Sequence, residues 1–198
     1  MPYFSRSTKI FLGTVGVMIV GTLGFRFLSS SAVPQDFIDA RIQGAIIAQN
    51  IVGLSNQSVN DLEKINQLDQ QGNYVEATNV ALDAIQKSKD IRNQAVELSN
   101  QVSKMTVALS GIDSFEARQA ALEAISNRLA LISKLINYSD YLAQLLQALQ
   151  AKFAGQRGLP AQAGDHNVEV IINQLNAEVT AINSFNGQST QAMNRFDA

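Results

Sequence analysis

From Tyr74 to Ile112 the chain steps by three and four between small or apolar residues without a break. The series runs Tyr74, Ala77, Ala81, Ala84, Ser88, Ile91, Ala95, Leu98, Val102, Met105, Leu109 and Ile112. Residues with that period share one side of an α-helix and form a seam that packs against other helices. The seam is small at its start and bulky at its end, so it predicts close backbone approach near Ala77–Ala84. Gly72-Asn73 precedes it as a turn: the glycine suits a left-handed helix end, and Asn73 with Glu76 suits a capping box. Gly111 is expected to close the helix, and Asp113 with Glu116 to cap the next. The helix predicted here covers 74–111.

The next predicted helix, 114–154, carries two adjacent seams. One is Leu122, Ile125, Leu129, Ile132, Ile136, Ala143 and Leu146; the other is Ala121, Ala124, Leu131, Leu135, Tyr138, Leu142, Leu145 and Leu149. A face that wide predicts contact with two neighbours. Residues 155–164 read as a Gly-, Pro- and Ala-rich loop. A last helix over 167–186 repeats the period with Val168, Ile172, Leu175, Val179 and Ile182. Asn186-Gly187 is expected to break or fray it, although Met193 and Phe196 continue its phase.

Upstream, Pro34 suits the first turn of a helix over 34–71. Phe37, Arg41, Gly44, Ala48 and Ile51 follow at helical spacing, with Ile47 and Val52 widening the stripe. Gly53–Ser58 leaves two readings open: one helix running to Gln71, or a break with a restart at an Asn60/Glu63 capping box. Short turns force neighbouring helices to run in opposite directions. The fold class predicted for 34–198 is therefore all-α, an elongated antiparallel bundle of about four long helices crossing near ~20°.

Ile10–Leu28 is different in kind, an apolar run of about nineteen residues whose helical length of roughly 28 Å nearly matches a bilayer's ~30 Å hydrocarbon core. Arg6 and Lys9 precede it, and only Arg26 lies near its far end. That bias predicts a single-pass membrane anchor with 1–9 in the cytoplasm, 29–33 as linker and the bundle outside. Ser30-Ser31-Ala32 offers the rival reading of a signal peptide, and cleavage after Ala32 would give a secreted protein. The run exceeds the usual signal core, which favours an uncleaved signal-anchor.

Composition narrows the chemistry. The formal net charge is −2 and there is no cysteine, so disulfides, thiol catalysis and cysteine metal sites are excluded. Without a basic stripe, nucleic-acid binding has no electrostatic footing. The polar faces carry amides more than charges, which leaves helix stability to packing. His166, the one histidine, sits beside Asp165 without further ligands at metal spacing and reads as a polar residue at a helix start. No catalytic, cofactor-binding or metal residues are predicted, and the chain is not expected to be an enzyme. The most distinctive local cluster is Tyr138, Asp140 and Tyr141; with Arg118 and Arg128 on the same predicted helix, it is the candidate interaction patch. Tyr138 falls on the apolar seam, where a packed tyrosine is the more ordinary role.

The stretch LDQQGNYVEATNVALDAI resembles half of a tetratricopeptide unit, without the ~34-residue repeat of such proteins. With the anchor, ARQAALEAIS and INYSDYLAQLL, the chain is similar to single-anchor helical proteins of small-genome bacteria over roughly residues 60–150. That resemblance implies a bacterial envelope protein and carries no activity. The layout also resembles the sensing domain of bacterial chemoreceptors, which add a second membrane helix and an output domain; lacking both, this anchor is expected to be a tether. The function expected is that of a non-catalytic scaffold, spacer or protein-interaction module in the cell envelope, with a protein partner or self-association. The alternative is a sensor-like or ligand-binding bundle serving a separate signalling partner, with a polar cavity near Tyr138 and Arg128 and a small-molecule ligand of unknown kind.

Overall fold

The computed structural model describes residues 33–157 and 168–198. Four long helices account for nearly all of them: α1 Gln35–Gln70, α2 Tyr74–Ala108, α3 Phe115–Gln156 and α4 Val168–Phe196, with a 3-10 turn at Leu109–Gly111. No strand occurs among the described residues. The helices hold 36, 35, 42 and 29 residues, which at 1.5 Å per residue is about 45–65 Å each. Close packing follows sequence order, α1 on α2, α2 on α3 and α3 on α4, each pair antiparallel. The bundle thus has a foot, where α1 begins, α2 passes into α3 and α4 ends. Its head lies at the Gln71–Asn73 turn.

The α2 seam sets this arrangement. Every member from Ala77 to Met105, and Ile112, is buried, with Tyr74 and Leu109 half-buried at its two ends. Ala77, Ala81, Ala84 and Ala95 are wholly enclosed, so α2 lies against its neighbours with little side chain between. Of the α3 seams, the second is buried at all its positions. In the first, Leu122 and Leu129 stay 54% and 46% exposed. The face is therefore narrower than expected there, because α2 and α4 flank α3 without reaching that line.

Local signals resolve in particular ways. Gly72 has φ +72, the left-handed geometry that glycine adopts without Cβ strain. Asn73 accepts from the Glu76 amide at 3.4 Å. The cap of α3 is Ser114, whose Oγ accepts from the Ala117 amide at 3.2 Å, and not the expected Asp113. Pro34 is the residue before α1, its carbonyl accepting from the Phe37 amide at 3.0 Å. Gly111 ends the 3-10 turn without positive φ; its role is space, since a Cβ there would sit 2.6 Å from the Pro34 Cγ.

One reading left open is settled and one expected interruption is absent. α1 runs unbroken through Gly53–Ser58, with Ile51, Ser55, Ser58 and Val59 buried along one face, and no restart occurs at Asn60. α4 likewise passes through Asn186-Gly187 to Phe196, because Ile182, Ser189, Ala192 and Met193 are buried on both sides of it. Tertiary burial outweighs a local breaker of about 1 kcal/mol. The α4 phase is also shifted: Ile171 and Glu178 join Leu175 and Ile182 inside, while Val168, Ile172 and Val179 flank them. Among the described residues no helix is long and apolar enough to cross a membrane. The predicted anchor at 10–28, the linker to residue 32 and His166 lie outside the described residues.

Candidate functional site

The five residues of the predicted patch are on α3 but do not meet. Arg118 and Tyr141 are about 35 Å apart along the axis at 1.5 Å per residue. Arg118 donates from Nε and a terminal nitrogen to the Ile112 carbonyl, at 3.1 and 2.7 Å, tying the α2–α3 connection to α3. Arg128 turns inward and donates to Ser189 Oγ at 3.2 Å and to Met105 Sδ at 3.5 Å. Tyr138 is buried, which pushes its phenol up to about 12. Asp140 pairs with Arg92 on α2 at 2.9 Å, and Tyr141 packs half-buried against the core. These are structural placements along one helix.

Polar chemistry concentrates at the foot. Arg41 of α1 makes a two-pronged pair with Asp197 at 2.7 and 2.6 Å, and the Phe37 and Phe196 rings lie 5.2 Å apart beside it. These contacts join the first helix to the last. Arg128 lies near this pair, and its guanidinium is lowered to about 10, chiefly by desolvation and then by the positive Arg41, against the opposing pull of Asp197. Two arginines and one carboxylate leave this interior net positive. Farther up the bundle, buried Glu178 of α4 accepts from Asn137 Nδ2 of α3 at 3.4 Å and lies 3.3 Å from Lys134 Nζ.

Also at the foot, a groove of about 730 Å³ opens between α1 and α2, lined by Pro34, Asp36, Asp39, Gln101, Lys104 and Val107 among others. Gln101 is 6% exposed; its Nε2 donates to Glu97 Oε1 at 2.9 Å, while its own Oε1 is buried with no hydrogen-bond partner. The Glu97 carboxyl is held below the usual range by its hydrogen bonds from Asn100 and Gln101. None of these groove residues stands out in the sequence as a site. The available signal was Gln101 itself, an amide next to Val102 on the buried side of α2. Among the described residues no group of three or more His, Cys, Asp or Glu side chains could hold a metal.

Outside the core, Leu122 and Leu129 stand seven residues apart on the exposed side of α3, and Phe115 and Val107 at the foot are the most exposed large apolar side chains described, at 74% and 79%. No known protein family, curated protein or solved structure matches the chain.

Proposed function

We propose that this chain is a membrane-tethered helical-bundle protein that acts through protein–protein contacts in the cell envelope, as scaffold, spacer or assembly subunit. The observation that carries the reading is the pair Leu122 and Leu129. They continue a seven-residue period on a helix whose other apolar seam is already buried, and an uncharged heptad line in water is the surface a further helix covers. Ile10–Leu28 supplies the tether, and its flanking charges put the bundle on the far side of the membrane. A sensor-like role would need a cavity at Tyr138 and Arg128. Tyr138 is enclosed and Arg128 commits donors to Ser189 and Met105, so ligand chemistry finds more room at the foot.

The test is site-specific photo-crosslinking in the native membrane, with a photoreactive residue at position 122 of the full chain and a control at exposed Asn173 on α4. A discrete adduct from 122, absent from 173 and lost in Leu129→Ser, is the expected result. Equal labelling from both positions would contradict it. The mass of the adduct separates self-association from a distinct partner.

A further inference from the structure

We infer that the groove at the foot binds a zwitterion in which a primary ammonium and a phosphate lie a few bonds apart, the chemistry of a phosphatidylethanolamine headgroup. Its membrane source rests on the tether proposed above; the preference for that chemistry rests on the groove alone.

Gln101 lies buried in the wall of this groove. Its Nε2 is committed to Glu97 Oε1 at 2.9 Å, which fixes the other end of the amide, Oε1, as the acceptor left buried without a donor. An orphaned buried acceptor is costly, and a bound N–H would relieve it. The same groove carries the carboxylates of Asp36 and Asp39. Asp39 accepts one hydrogen bond, from Gln35 at 2.7 Å, and among the described residues neither carboxylate enters an ion pair. Acceptors and negative charge together call for a cationic donor. Lys104, on the same wall, forms no ion pair among the described residues and suits a phosphate. Val107, 79% exposed at the rim, gives the apolar remainder of such a molecule a surface.

Three headgroups are thereby distinguished. A primary ammonium brings three N–H donors, whereas a quaternary ammonium brings none and leaves Gln101 Oε1 unmet. A phosphoglycerol headgroup has no cation and places its phosphate near two carboxylates. Reach also fits: the five linker residues 29–33 extend at most about 17 Å, so a bundle anchored at Leu28 keeps its foot close to the headgroup layer.

The test offers the full chain, purified in detergent, an equimolar mixture of phosphatidylethanolamine, phosphatidylcholine and phosphatidylglycerol, and reads retained lipid by native mass spectrometry. Phosphatidylethanolamine is expected to be retained about tenfold over either competitor. Gln101→Leu should bring its preference over phosphatidylcholine near unity, Lys104→Gln should weaken retention, and Leu122→Ser should leave it unchanged. Should Gln101→Leu unfold, the unmodified chain and the surface variant Lys104→Gln still decide the matter. Equal retention of the three lipids overturns the inference. Titration with glycerophosphoethanolamine, read by the Ser110 and Gly111 amide shifts, shows whether the free zwitterion suffices. Flotation with phosphatidylcholine vesicles tests the tether separately: a chain that floats without lipid preference refutes the groove, and one with preference that fails to float refutes only the tether.

Discussion

The two ends of the bundle are held by different means. At the head, α2 enters through a wall of alanines, and the closing contacts are Tyr74 stacked on Phe153 at 6.0 Å and the ion pair of Lys152 with Asp69. At the foot, larger side chains fill the seam, the Phe37 and Phe196 rings meet, and Arg41, Asp197 and Arg128 bring charge inside. The difference lies in what each end joins. The head contacts bring α3 against α2 and α1, helices that follow one another closely in the chain. The foot contacts tie α1 to α4, the two helices most distant in sequence. Loss of packing at the foot should therefore open the bundle, whereas loss at the head should only weaken it.

Phe37→Ala and Phe153→Ala put that contrast to its strongest test, because both rings are fully buried and each truncation should cost about 3–5 kcal/mol in a chemical melt. Similar totals are expected with different distributions. Hydrogen exchange should show lost protection in the last turns of α4 for Phe37→Ala, and protection there near the parent's for Phe153→Ala. Matching exchange patterns in the two variants would remove the distinction between the ends.

Alkaline pH separates two buried groups, Arg128 near the foot and Tyr138 past the middle of α3. Burial raises the Tyr138 phenol from 10.0 to about 12, so between those values the unfolded chain has lost a proton that the fold keeps. Stability then falls as pH rises. Arg128, lowered from 12.5 to about 10, works the other way: the unfolded chain keeps a proton that the fold releases, and stability rises above pH 10. Tyr138→Phe removes only the loss. Relative to the parent, this variant should gain about 2–3 kcal/mol between pH 9 and 12 in paired urea melts. A constant difference across that range would mean that the phenol does not sense burial.

Ala81→Leu should cost about 1–3 kcal/mol, since a closely approached seam has no room for extra methylenes. Met105→Leu at the bulky end keeps its volume and should cost less than about 1.5 kcal/mol. Thermal melts of the two variants compare the packing directly, and a benign Ala81→Leu would show that the head is loosely filled.

The α2 seam was legible because all its apolar positions lie along one line that both neighbours cover. On α3 the same counting overreached: periodicity reports which residues share a face, not whether a helix stands opposite, and Leu122 and Leu129 have none. Asp113 and Ser114 are both good caps one residue apart, and local preference alone does not choose between them. The continuity of α1 and α4 hung on burial at Ser58 and Ser189, residues whose local preferences say little about helix or core. Arg41 and Asp197 are 156 residues apart, beyond any local pattern, and the groove combines two helices whose polar residues look solvated when read singly. The predicted patch on α3 failed to assemble for a related reason: residues on one helix share an axis but not a place.

The smallest expected effect concerns two glycines, one at each end, that resist alanine for opposite reasons. Gly72 at the head has φ +72 and nothing within 4 Å of the position a Cβ would take, so Gly72→Ala meets only backbone strain, about 1 kcal/mol. Gly72→Asn should recover part of that, because asparagine tolerates the left-handed region. Gly111 at the foot has ordinary φ but would press a Cβ to 2.6 Å from the Pro34 ring. There asparagine is no better than alanine, and relief comes from the other side of the contact, through Pro34→Ala. Thermal melts of the five single variants, and of Gly111→Ala and Gly72→Ala each combined with Pro34→Ala, give the comparison. Gly111→Ala should be destabilising alone and less so when Pro34 is also replaced, a coupling between sites in contact, while Pro34→Ala should leave the cost of Gly72→Ala unchanged. Additive behaviour at the foot would mean that the chain entering α1 can shift freely, and that the foot is not the tightly joined end.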